Sequence, residues 1–282
     1  GENATIVVED RCIVAYDAEL VALDPQTGEQ LWTQPTNGFK HLVADEATGT
    51  VLVASDIGIE AFRAADGTKR WETYTVIRLP CAPAVDDGCV FAVGEVDGSP
   101  SLVAFALEDG SELWRSKLTA TPESAAPVVT QEGAFVSDDR TLVVHDRETG
   151  DRIRKLRSFG EDDDVIPRTV AVDDSTVFVT SSVGAVAIDG ETGAERWHRE
   201  TPVYKPGLCI GTDTVVFPVG SPEFAPGKKT ISVFDRESGE MRWHYAFDPG
   251  FHHQVTSPPA LVDRAVFFTA THIDGLGALG DV

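Results

Sequence analysis

One thirteen-residue pattern recurs six times along the chain, and it restricts the fold more than any other feature. It reads LVALDPQTGEQLW at Leu20–Trp32 and IEAFRAADGTKRW at Ile59–Trp71. Leu102–Trp114, Leu142–Arg154, Ala185–Trp197 and Ile231–Trp243 are further copies. All five tryptophans of the chain occupy the same place in the unit, and the fourth copy carries Arg154 there. Successive copies lie 39, 43, 40, 43 and 46 residues apart. A fixed period of this length marks repeated supersecondary units, each burying its open face on a neighbour.

Each unit reads as four short strands. Ala82–Val85, the turn Asp86-Asp87-Gly88 and Cys89–Val93 form a hairpin pattern. The Leu-Val-Ala-Phe run is a third strand, a Thr-Gly or Asp-Gly turn follows, and the tryptophan segment is the fourth. No stretch has helical periodicity. Four strands per repeat of about 42 residues point to an all-β chain of β-propeller blades, the class that also holds the WD40 and YVTN-like repeats. A large planar side chain on the outer strand can wedge against the next blade, and Ala22, Ala61, Ala104 and Ala187 leave room for it. Trp32, Trp71, Trp114, Trp197 and Trp243 are therefore expected to be structural docking residues, and Trp114→Ala to cost about 3–5 kcal/mol.

The pattern A-x-D-x-x-T-G-x-x-x-W stands out at Ala22-Leu-Asp24-Pro-Gln-Thr27-Gly28-Glu-Gln-Leu-Trp32 and again at Ala187 through Trp197. It resembles the tryptophan-docking motif of the PQQ-like propeller repeats, a superfamily that holds quinoprotein dehydrogenases and the envelope assembly lipoprotein BamB. The resemblance covers nearly the whole chain and implies a single propeller domain over residues 1–282. Six complete units lie before about residue 245, and a seventh begins near Gln254 and lacks its tryptophan strand at Val282. Seven blades are expected, with eight as the alternative. A blade one strand short presents an edge that invites pairing, on an otherwise monomeric protein.

Charge narrows the partners. The chain has 23 Lys and Arg against 46 Asp and Glu, a formal net charge of -23. Binding to nucleic acid through counterion release needs a cationic face, so nucleic acid is not an expected partner. An anionic membrane surface is disfavoured for the same reason, and no run of about 18 apolar residues marks a transmembrane helix. High acid with only 7 lysines resembles proteins of extreme halophiles and suggests a halophilic archaeal source. There molar salt shortens the Debye length to about 3 Å and carboxylates keep the surface hydrated. An extracytoplasmic or cell-surface location is expected, with the cytoplasm as the alternative. Cys12, Cys81, Cys89 and Cys209 show no metal-ligand spacing and read as free thiols, with a Cys81–Cys89 bridge left open.

Chemistry is sparse. No nucleophile elbow, zinc-binding helix motif or phosphate loop appears, so no catalytic residue and no metal ligand is assigned. Catalytic members of the resembled family carry vicinal cysteines over the quinone, a tryptophan floor and calcium ligands. This chain has no vicinal pair, and its tryptophans are expected in docking, so PQQ is not an expected cofactor. The acidic run Glu161–Asp164 leaves calcium open. One constellation is less bland. In a propeller the segment after each outer strand crosses inward to the channel. Those segments hold Lys40 and His41, Arg78, Arg168, Lys205, and His252 with His253. Lys40 and Lys205 each lie eight residues past their tryptophan, and Arg78 lies seven past its own. They are expected to form a cationic channel mouth for a small anionic ligand or an acidic partner segment, unless nearby carboxylates pair with them. The reading of function is a non-catalytic scaffold that binds protein or small ligands. The alternatives are a quinoprotein-like oxidoreductase or its remnant, and an envelope assembly scaffold resembling BamB.

Overall fold

The structure is a computed structural model. It describes residues 3–16, 18–120, 125–159, 167–173, 175–181, 183–201, 203, 207–221, 228–246, 252–255, 259–262, 265–267 and 270–273. Among them there is no helix. Six antiparallel sheets of four strands follow one another in chain order. The first holds β1 (Asn3–Val8), β2 (Arg11–Tyr16), β3 (Glu19–Leu23) and β4 (Gln30–Pro35). The second holds β5 (His41–Asp45), β6 (Thr50–Ala54), β7 (Ile59–Arg63) and β8 (Lys69–Thr73). The third holds β9 (Ala84–Asp86), β10 (Cys89–Val96), β11 (Ser99–Ala106) and β12 (Glu112–Lys117). The fourth holds β13 (Val128–Thr130), β14 (Gly133–Asp138), β15 (Thr141–His145) and β16 (Arg152–Ser158). The fifth holds β17 (Pro167–Asp173), β18 (Thr176–Ser181), β19 (Ala185–Asp189) and β20 (Glu195–Arg199). The sixth holds β21 (Cys209–Ile210), β22 (Thr214–Ser221), β23 (Lys228–Asp235) and β24 (Met241–Ala246). Each sheet is a simple meander, the form of a propeller blade.

The seventh repeat appears differently. β25 (His252–Val255) pairs with β28 (Ala270–Ile273), and β26 (Ala260–Val262) pairs with β27 (Ala265–Phe267), giving two two-stranded ladders among the described residues. The chain divides into two compact units, Gly1–Lys155 and Leu156–Val282, with the cut inside β16.

Local chemistry explains the meanders. β9 and β10 join through Asp87 and Gly88, with φ of 46° and 74°, the doubly left-handed turn that matches strand twist. Glu9 and Asp10 do the same between β1 and β2. The turn before each outer strand is closed by an aspartate. Asp24 Oδ1 accepts the N–H groups of Gln26 and Thr27 at 2.9 and 2.8 Å. Asp146, Asp189 and Asp235 repeat this turn. In the second and third sheets Arg63 and Ala106 stand at that position, and the aspartate has moved to the residue before the glycine. There Asp66 and Asp109 accept the N–H of Thr68 and Ser111 instead.

The inter-sheet contact is an indole on a glycine. Ala22, Ala61, Ala104 and Ala187 lie directly across the ladder from Trp32, Trp71, Trp114 and Trp197, each followed by a register shift. The small cross-strand neighbour lets the indole lean off its own sheet. Trp32 Nε1–H donates to Ala64 O at 2.9 Å, Trp71 to Leu107 O at 2.8 Å, Trp114 to Arg147 O at 3.1 Å and Trp197 to Arg236 O at 2.9 Å. Each acceptor lies three residues before the turn glycine of the next sheet. A Cβ on Gly67, Gly110, Gly150 or Gly239 would lie within 3 Å of the visiting indole. With φ near +70° as well, glycine is required there twice over. Where the fourth copy lacks tryptophan, the Leu156 carbonyl itself closes on Gly193. Trp243 differs from the other four. Val233 stands opposite it in place of alanine, and the ring is 47% exposed.

Trp71 and Trp197 are 7% and 6% exposed. Trp71→Ala should lower the unfolding free energy by about 3–5 kcal/mol in urea titration. Trp243→Ala should cost less than about 1 kcal/mol, because its ring has far less to lose.

Candidate functional site

Of the cations singled out in the sequence, Lys40 and Arg78 are paired with carboxylates. Lys40 Nζ lies 2.5 Å from Asp56 Oδ1, at the tip between β6 and β7. Arg78 Nη1 lies 2.8 Å from Glu95 Oε2, and Arg78 N–H donates to Asp56 O. Arg78 holds a φ of 52°, a conformation rare for a residue with a side chain, fixed by those contacts and by the Ile77–Glu95 bridge. Arg78 thus ties the second sheet to the third, Lys40 closes on a turn of the second sheet, and both are paired with carboxylates. His41 opens β5 and is half-buried. Arg168 Nη1–H donates to Val203 O at 3.3 Å. Lys205 and the acidic run 161–164 lie outside the described residues. His252 and His253 take successive places in β25, and their side chains are not described. A cationic mouth therefore finds no support here: Lys40 and Arg78 are paired with carboxylates and Arg168 with a carbonyl.

Two buried carboxylates were not foreseen. Glu60 is 3% exposed in β7. It accepts Asn37 N–H at 2.7 Å and pairs with Lys69 Nζ at 2.6 Å. Asp138, at the end of β14, accepts the N–H groups of Thr119 and Ala120. Asn37 and Thr119 each belong to the segment that leaves one sheet for the next, so both acids clamp inter-sheet crossings. Nothing in the one-dimensional pattern marks them, since both are acids in an acid-rich chain.

A cleft of about 590 Å³ lies between the fifth and sixth sheets. Arg196, Arg236 and Arg242 line it. Arg196 reaches Thr176, Ser175 and Asp189 at 2.8–3.0 Å. Arg242 bridges Asp213 and Asp235 at 2.6 and 2.7 Å, and Arg236 pairs with Asp173. The guanidinium groups hold the Asp189 and Asp235 carboxyls well below the usual range, helped by the turn N–H groups. These arginines are engaged in holding strands together. Among the described residues no three His, Cys, Asp or Glu side chains converge as a metal site.

The cysteines are free. Cys81 is buried, which pushes its thiol up to about 12, and partial burial pushes Cys209 up to about 11. Cys12 and Cys89 are half-buried. Thiols so raised are poor nucleophiles at neutral pH.

His145 takes the place that Phe62, Phe105 and Phe234 hold in other sheets. It is 2% exposed. Its Nδ1 lies 3.0 Å from Gly150 O, while Nε2 has no partner among the described residues. Desolvation, with nearby Arg152, lowers its pKa from 6.5 against the opposing pull of Gly150 O and Asp138. The folded state thus holds it neutral while the unfolded chain takes up a proton near 6.5. Its contribution is present above that pH and is lost as pH falls toward the lower folded value. Thermal midpoints should drop between pH 7 and pH 5, and His145→Phe should remove much of that drop.

Comparison with known proteins places this geometry. The family described as outer membrane protein assembly factor BamB matches residues 2–83 and 76–207. No curated protein matches by sequence. Among solved structures, BamB from Moraxella catarrhalis superposes with a TM-score of 0.71 at 14% identity, over 94% of this chain and 83% of that one. A quinohemoprotein alcohol dehydrogenase from Pseudomonas putida HK5 gives 0.65 at 11% identity, over 86% of this chain and 60% of that one. A europium-containing methanol dehydrogenase gives 0.65 at 11% identity, over 90% and 72%. At such identities these structural likenesses speak for the propeller fold alone.

Proposed function

The chain belongs to the family of the outer membrane protein assembly factor BamB, and from that membership we propose that it is a non-catalytic protein-binding scaffold acting outside the cytoplasm. One observation carries the reading: its buried acids and cleft arginines are committed to joining strands, while apolar side chains stand exposed at loop tips. Ile57 is 48% exposed in the β6–β7 turn, and Tyr74 is exposed just beyond β8, beside that same turn. Val183 repeats the Ile57 position in the fifth sheet, between serine and glycine residues that make the same turn. Rigid sheets that present apolar tips suit protein contact. The extreme acidity fits a partner met in high salt, in a halophilic host, where charge repulsion is screened and apolar contact is strengthened.

The dehydrogenase relatives raise a quinone as a second reading. The residues here do not fit it. The four cysteines are not vicinal, and four of the five indoles have their N–H and a ring face committed to the next sheet's turn. No step through a quinone is derived.

The test has two arms. Tagged chain, photo-cross-linked in its native cell envelope, should yield one stoichiometric protein partner, and Ile57→Asp with Tyr74→Asp should lower that yield at least fivefold. Purified chain given PQQ with calcium or a lanthanide should show no dye-linked alcohol oxidation. Turnover in that assay, or no partner in the first, overturns the proposal.

A further inference from the structure

The chain holds only two asparagines, Asn3 and Asn37, and Asn37 is followed by glycine. Asn37 lies in the segment that leaves β4 for β5. Both ends of that segment are pinned, since Thr36 N–H donates to Ala18 O and Lys40 N–H to Ala54 O, each at 2.8 Å. Between the pins Asn37 is exposed. Gly38 holds a φ of 84°, and among the described residues nothing lies within 4 Å of an added Cβ. Gly38 N–H has no hydrogen-bond partner among the described residues. An unhindered, unbonded main-chain nitrogen thus follows directly on a solvated carboxamide.

Asn37 also sits within a run of bonded side chains. Its Nδ2–H donates to Tyr74 OH at 3.2 Å, and its N–H donates to Glu60 Oε2 at 2.7 Å. Glu60 Oε1 meets Lys69 Nζ at 2.6 Å, and Lys69 Nζ meets Glu72 Oε2 at 2.9 Å. Glu60 is 3% exposed, whereas Tyr74 is 52% exposed. A neutral amide therefore joins the crossing to Tyr74 next to a buried carboxylate, where a second carboxylate would be repelled.

We propose that Asn37 is a self-modifying site, at which loss of the amide cuts the tie to Tyr74 and loosens the contact tip. Gly38 N attacks Asn37 Cγ. The new N–C bond closes a cyclic imide, the Cγ–Nδ2 bond breaks, and ammonia leaves with the proton of Gly38 N. Water then opens the imide at either carbonyl and leaves aspartate or isoaspartate at position 37. The step needs no oxidant, reductant or co-reactant besides water. Either product removes the N–H donor that holds Tyr74 and sets a carboxylate beside Glu60. Isoaspartate also adds a methylene carbon to the main chain between the two pinned ends, so the segment must bulge. Asn3 lacks these conditions, because Ala4 carries a Cβ and is paired with Ala15 in the first ladder. The inference rests on the scaffold reading for its effect on a partner, and on this chain's own atoms for the chemistry.

Purified whole chain held at pH 8 and at pH 6 tests it. Peptide mapping follows both asparagines, and protein-isoaspartate methyltransferase marks the isomer. Asn37 should convert at least tenfold faster than Asn3, and faster at pH 8, where the Gly38 amide gives up its proton more readily. In chain labelled with 13C-tyrosine, the Tyr74 ring signal, identified by its loss in Tyr74→Phe, should sharpen as conversion proceeds. Asn37→Gln, whose longer side chain closes an imide far more slowly, should hold map and signal steady over the same time. Conversion no faster than at Asn3, or a Tyr74 signal unmoved by conversion, overturns the inference. Converted chain added to envelopes should also give at least threefold less cross-linked partner than fresh chain. Full cross-linking by converted chain overturns the inference and leaves the scaffold reading standing. Conversion with release of the Tyr74 ring, but with no envelope partner for fresh chain, upholds the chemistry while the scaffold reading falls alone.

Discussion

The contact between an indole and a left-handed glycine is what the rest of this structure depends on. A four-stranded meander is too small to bury both of its faces by itself. The tryptophan of the outer strand solves this by reaching across to the next sheet, where only the absence of a Cβ lets it approach the turn. The bond from Nε1 to the turn carbonyl fixes the angle of the ring and satisfies the one polar atom it would otherwise bury. The alanine across the ladder and the aspartate that shapes the turn are both conditions for this contact. One packing device thus accounts for four separate features of the repeat.

Around that device, charge does structural work. Glu60 and Asp138 capture the N–H groups of crossing segments, and Lys40, Arg78, Arg196 and Arg242 each close on a carboxylate. Exposed pairs of this kind contribute little apiece in dilute buffer, and their number here reflects how many acids each base can choose from. The surplus acid stays on the surface, where it keeps the chain hydrated.

Departures from the repeat are as informative as the repeat. Arg154 in place of tryptophan lets the β16 backbone approach Gly193 directly. Val233 in place of alanine goes with an indole left half in solvent. His145 in place of phenylalanine puts a titratable ring in a core that offers its Nε2 no partner. Each departure marks a site where the regular packing argument stops and a specific consequence for stability or binding begins.

The sequence by itself determined the strand count per repeat, the turns and the role of most tryptophans, because these follow from local spacing: alternation, Asp-Gly and Thr-Gly turns, and a fixed offset to the aromatic. It also showed that the usual catalytic motifs are lacking. Only the tertiary structure decided which charges are free. Whether Lys40 or Arg78 faces a ligand or a carboxylate depends on Asp56 and Glu95, which lie 16 and 17 residues away along the chain and meet them through folding. The same holds for Glu60 and Asp138, two acids among 46. A turn's sequence specifies its shape, but whether anything rests on it is settled by what the neighbouring sheet brings.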